Sequence, residues 1–110
     1  MERINYQELI QTILTQHSGN DLDTETEVQL LFDTKRDRYH VVHLGWDEQQ
    51  RVYGCVIHVD IKNDGKIWIQ RDRTETGIAN ELAAAGVPKE DIVLAFKAPY
   101  LRQFTEFAVG

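Results

Sequence analysis

The sequence predicts an α+β fold: an antiparallel four- to five-stranded meander sheet with two main helices packed on one face. Three observations carry this. Residues 4–17 place apolar side chains at a helical period, residues 28–69 alternate apolar and polar through runs separated by turn residues, and residues 74–86 return to a helical period that stops at a glycine.

In "INYQELIQTILTQH" the apolar residues fall at 6, 9, 10, 13 and 14, with Gln7, Glu8, Gln11 and Gln16 largely on the other side. That is an amphipathic helix, ended by Ser18-Gly19-Asn20. The polar "DLDTETE" follows as a turn, and "VQLLFD" opens a strand with Val28, Leu30 and Phe32 on one face.

Register is set by requiring every loop to keep apolar residues on a common face, because a slip of one residue turns all side chains over. Asn63-Asp64-Gly65 suits a three-residue hairpin loop with Gly65 left-handed, pairing Ile61 with Ile67 and Val59 with Ile69. A four-residue loop, Asp47 to Gln50, sets Leu44 opposite Tyr53 and Val42 opposite Cys55. A five-residue loop, Thr34 to Arg38, sets Phe32 opposite His40 and Leu30 opposite Val42. The predicted inner face holds Val28, Leu30, Phe32, Val42, Leu44, Tyr53, Cys55, Ile57, Val59, Ile61, Ile67 and Ile69.

The second helix fits "TETGIANELAAAG", with Thr74 or Thr76 as cap and Ile78 and Leu82 turned inward. Gly86 in the left-handed conformation brings Val87 against Leu82 in a Schellman motif, and Pro88 prevents continuation. The run "IVLAF" is either a fifth strand or a short buried segment. The aromatic "KAPYLRQFTEFAVG" must dock on the rest.

At 110 residues the chain is expected to be one domain, 1–110, and a composition 42% hydrophobic and 27% charged is that of a folded protein. Glu2, Arg3 and Glu8 break any leader pattern, and no apolar run reaches the ~18 residues that cross a bilayer, so a cytoplasmic protein is expected. A lone cysteine, Cys55, excludes an internal disulfide and a cysteine-based zinc site. The net charge of −6 is uneven: residues 1–32 carry six acids against Arg3, and residues 33–73 carry eight Lys/Arg against seven acids. Without a basic cluster the chain is not expected to grip a duplex alone. A protein partner fits better.

"HVDIK" places an Asp-x-Lys on a strand, a spacing used by metal-dependent nucleases. The predicted register sends His58 and Asp60 to the outer face with Asp33, Tyr39 and Trp68. Two histidines and two acids without tight spacing assign no catalytic or metal residue. Leu31, Val41, Val52, Val56 and Trp68 give the same face unusual apolar content. Either the aromatic C-terminal segment or the "IVLAF" run covers it, or it meets a partner or a second copy of the chain. The candidate partner surface is Trp68, Asp60, His58, Tyr39, Asp33, Val41 and Val56, with the tryptophan as anchor. No glycine-rich nucleotide loop and no Ser/His/Asp or Cys/His arrangement is present, so no cofactor is expected.

The strings "LLFDTKRDRYHVVHLGWD", "RVYGCVIHVDIKNDGKIWIQRDRTETGIANEL" and "GVPKEDIVLAFKAPYLRQFTEFAV" together resemble the XisI family, the fdxN-element excision controlling factor proteins of cyanobacteria. The resemblance spans nearly the whole chain. It implies a non-enzymatic part in DNA rearrangement beside a companion of the XisH kind, which is endonuclease-like, while a separate recombinase excises the element. No catalytic residue carries over. The alternatives are a small DNA-binding directionality factor and a metal-dependent phosphodiesterase using Asp33, His58 and Asp60.

Overall fold

A computed structural model describes residues 4–18 and 26–110. Helix α1 (Tyr6–Ser18) is capped by Asn5, whose Oδ1 accepts the Glu8 N–H, and it buries Ile10, Ile13 and Leu14. The predicted stop at Gly19-Asn20 and the turn up to residue 25 lie outside the described residues. Among the described residues five strands form one sheet in sequence order: β1 (Thr26–Asp33), β2 (Arg38–Asp47), β3 (Gln50–Ile61), β4 (Ile67–Asp72) and β5 (Ile92–Leu94). The first four make the predicted meander. The fifth, left open between a strand and a buried segment, is a strand that runs parallel to β4.

Helix α2 (Ile78–Ala84) joins α1 on one face of the sheet, burying Ile78, Ala79 and Leu82. Its start differs from expectation. Neither threonine caps the helix directly: Asp72 at the end of β4 accepts the Thr74 N–H and hydroxyl on Oδ1 and the Ile78 N–H on Oδ2, while Thr74 Oγ1 accepts the Gly77 N–H. The end is as predicted. Gly86 has φ 105°, its N–H reaches the Ala83 carbonyl, and the N–H of buried Val87 reaches the Leu82 carbonyl, which is the Schellman pattern.

The hairpin between β3 and β4 has the predicted three-residue loop, with Gly65 at φ 82° and pairs Ile61 with Ile67, Asp60 with Trp68 and Val59 with Ile69. Two other registers depart from expectation. The β1–β2 loop is one residue shorter, so Phe32 faces Tyr39 and Leu30 faces Val41. Between β2 and β3 the predicted pairs Leu44 with Tyr53 and Val42 with Cys55 hold, but the register then shifts, and Val41 faces Ile57, His40 faces His58 and Tyr39 faces Val59. Val56 is the extra residue of a β-bulge.

Several face assignments are therefore corrected. Tyr39 and Val41, expected outside, are fully buried with Ile57, Val59, Ile67 and Ile69, and Val56 packs against that core. Alternation along β2 sends His40, Val42 and Leu44 to the outer face, and Cys55 and Tyr53 go with their partners. Tyr53 is 72% exposed, while the half-buried Cys55 thiol hydrogen-bonds the Ile57 carbonyl, and desolvation pushes it up in pKa. Val28, Leu30, Phe32, Ile57, Val59, Ile61, Ile67 and Ile69 face inward as predicted.

The short β1–β2 turn is held by contacts from three elements, two of them made by side chains. Asp37 sits at φ 56°, its carboxylate accepts from Tyr39 Oη and Gln7 Nε2, and its carbonyl accepts the Ile61 N–H. Across the molecule, Tyr6 of α1 donates to Asp91, and burial with that carboxylate pushes the phenol up to about 12.

Two outcomes test this account. Gly65→Val should lower stability by about 1 kcal/mol or more in chemical denaturation; no atom lies within 4 Å of an added Cβ, so the cost is the left-handed backbone alone. Asp72→Ala should cost ~1–2 kcal/mol, because it leaves the start of α2 without its acceptor. An unchanged urea midpoint in either variant contradicts the corresponding contact.

Candidate functional site

The outer face gathers polar chemistry at the end where β2, β3 and β4 meet the β3–β4 hairpin. His40 and His58 are direct cross-strand partners, and their rings stack at a centroid distance of 3.9 Å and an angle of 37°. Asp60 lies two residues beyond His58 on the same face and is only 8% exposed. Its Oδ1 is 2.9 Å from His58 Nε2, and its Oδ2 accepts from Gln70 Nε2 at 3.3 Å. Gln70 is itself the extra residue of a second bulge, since Val59 pairs with Ile69 but His58 pairs with Arg71. Bulges re-aim side chains, and this one directs an amide at a buried carboxylate.

Around the three groups runs an open groove of about 960 Å³ that also takes in Lys35, Arg36, Asp37, Arg38, Lys62 and Asp64. Its four cationic side chains outnumber its three carboxylates. His40 is held below the ordinary histidine pKa, first by burial and then by the neighbouring His58, with Asp60 pulling the other way. It is a neutral imidazole at pH 7.

Of the predicted surface residues, Trp68, Asp60, His58 and Asp33 lie on the outer face, whereas Tyr39, Val41 and Val56 belong to the core side. Asp33 faces Arg38, not Tyr39; it accepts the Lys35 and Arg36 N–H groups and pairs with the Arg36 guanidinium, which together hold its carboxyl below the usual range. His17, in the last turn of α1, contacts Glu81 of α2. Sequence reasoning missed His40, which it placed in the core, and Gln70. The doublet Val41-Val42 opposite Cys55-Val56-Ile57 was the available signal, since consecutive apolar residues in both strands mark where alternation can change phase.

Trp68 is half-buried with Lys62 Nζ 4.1 Å and the Arg102 guanidinium 5.5 Å from its ring centroid. The C-terminal segment supplies that arginine from α3 (Pro99–Arg102). It then pairs Ala108 with Val93, and its Gly110 carbonyl accepts a hydrogen bond from Lys66 Nζ. The segment thus covers part of the outer face, one of the two outcomes left open. It leaves its own apolar residues bare: Phe104 is 78% exposed and Tyr100 70%, with Phe96, Leu101 and Val109 also exposed.

The depressed pKa of His40 makes stability pH-dependent in a defined direction. Below the ordinary histidine value of 6.5 the unfolded chain takes up a proton that folded His40 resists, so stability present above that value is lost as pH falls toward the folded one. The urea midpoint should drop between about pH 7.5 and about pH 5.5, and His40→Gln should make that drop smaller. An identical drop in the variant contradicts the neutral, half-buried imidazole.

Among the described residues no helix is long and apolar enough to cross a membrane. The profile of the XisI protein family matches residues 1–109. A XisI-like protein from Anabaena variabilis is 48% identical, with a TM-score of 0.89 over 96% of each chain. The fdxN element excision controlling factor XisI from the same organism is 37% identical, with a TM-score of 0.84 over 96% of each chain. A comparison with curated proteins finds no match. Matched along almost its whole length, in sequence and in fold alike, the chain belongs to the XisI family.

Proposed function

We propose that the chain is a non-enzymatic, cytoplasmic module that acts in excision of a DNA element by holding a protein partner of the XisH kind, and that DNA is reached through this partner. The observation that carries the reading is the set of bare apolar residues, Phe96, Tyr100, Leu101, Phe104 and Val109, on the C-terminal segment whose Arg102 packs on Trp68. Exposed aromatics on a segment that docks an arginine on a half-buried tryptophan have the composition of a binding hot spot. The net charge of −6 opposes direct attachment to nucleic acid.

A second reading, direct contact with nucleic-acid phosphates, is favoured by one feature, the four cations of the groove. It requires DNA affinity that falls steeply with salt, whereas the leading reading requires a stoichiometric complex with an XisH-like protein in size-exclusion chromatography after co-expression.

The surface is tested by two substitutions. Phe104→Ser should leave folding stability within about 0.5 kcal/mol and weaken partner association about tenfold. Trp68→Ala should weaken it by ~2 kcal/mol and cost less than that in folding. Unchanged association in both folded variants contradicts this surface.

A further inference from the structure

Three groups of the outer face stand in an arrangement that the partner-binding reading does not use. His40 and His58 face each other across β2 and β3, Asp60 follows at the next same-face position of β3, and a ligating atom of each lies within 4.8 Å of the others. Two imidazole nitrogens and one carboxylate oxygen, drawn from adjacent strands of a rigid sheet, form a facial set that leaves the remaining positions of an ion open. The open side is the groove.

The details fit a cation better than a bare ion pair. Asp60 has a side chain only 11% exposed, and it is met by one imidazole nitrogen and one glutamine amide. Taking a carboxylate out of water is costly unless strong partners replace the water, and a divalent ion is the strongest available. Gln70 occupies Oδ2 and so leaves Oδ1 turned toward the histidines, the outer contact that orients a ligating carboxylate. The 2.9 Å between His58 Nε2 and Asp60 Oδ1 is close to the edge of a coordination shell with bonds of ~2.1 Å. His40 has a ligating atom within 4.8 Å of both, and a ring rotation can bring it closer. It is also uncharged at pH 7, as a ligand must be.

We propose that His40, His58 and Asp60 bind one divalent transition-metal ion of the zinc class on the outer face of the sheet, with its free coordination positions open to the groove. Two imidazoles select such ions over magnesium or calcium. Binding displaces any proton shared between His58 and Asp60 into solvent, and Arg38 and Lys62 stand beside the open positions, where they suit water or an anionic ligand. The site is independent of the partner surface, so either can fail without the other.

The test uses the full chain, stripped with chelator and returned to chelator-free buffer. Cobalt(II) titration followed by visible absorption, and zinc(II) titration followed by calorimetry, should each give one ion per chain. His40→Gln and His58→Gln should each weaken binding more than tenfold, and Gln70→Ala about tenfold, while His43→Gln on the other face leaves it unchanged. Circular dichroism checks that each variant is folded, and Gln70→Ala keeps the test decisive if a histidine variant is not. Absence of saturable binding by either ion overturns the site, as does binding that survives both histidine substitutions. Inorganic phosphate binding by the metal-free chain that is lost in His58→Gln, without any metal binding, assigns the groove to an anion and overturns it equally.

Discussion

One inserted residue, Val56, decides which way half of the sheet faces. Unbroken pairing of β2 with β3 carries the register of Val42 with Cys55 through to Tyr39 with His58. Because Tyr39 and Val41 point toward the helices, that register turns His58 inward as well and sends Ile57 and Val59 out to water. The bulge removes the conflict. Beyond it, Tyr39 and Val41 share the core with Ile57 and Val59, and the histidines and Asp60 are left together outside. Burying two apolar side chains of this size is worth ~3–6 kcal/mol over leaving them exposed, which outweighs the local break in the ladder.

The same reasoning shows what the sequence reveals and what it hides. The Asn63-Asp64-Gly65 hairpin and the Gly86 helix stop are legible because each needs a glycine at a positive φ, a local demand with a local signature. The face of α1 and the inward residues of β1 and β4 follow from periodicity. The β2–β3 register does not, because alternation has no memory of phase across an inserted residue. Both phases of "YHVVHL" offer apolar sets, Tyr39 with Val41 or Val42 with Leu44, and a first loop one residue too long compensates for a missed bulge almost perfectly. Asp37 concealed the shorter loop, since it takes a left-handed conformation without being glycine. Its strain is offset by Tyr39 and Gln7, contacts that appear only once the chain is folded.

The candidate site inherits its partial legibility from this. Asp60 and His58 were placed on the outer face correctly, because the β3–β4 hairpin fixes them. Their third companion depends on the bulge and was lost to the core. Trp68 was also placed correctly, yet its setting between Lys62 and Arg102 depends on a segment more than thirty residues along the chain, whose docking has no periodic signal.

The pairing of Ala108 with Val93 has a consequence for the borders of the sheet. A strand edge offers a row of unpaired donors and acceptors to any other extended chain, and β5 is such an edge. The Ala108 N–H bound to the Ile92 carbonyl closes part of that row from within. The opposite edge, β1, has no strand beyond it among the described residues and presents Glu27 and Asp33. One border is guarded by a covering segment and the other by charge, so β1 is the border at which a foreign strand can add once those two acids are neutralised.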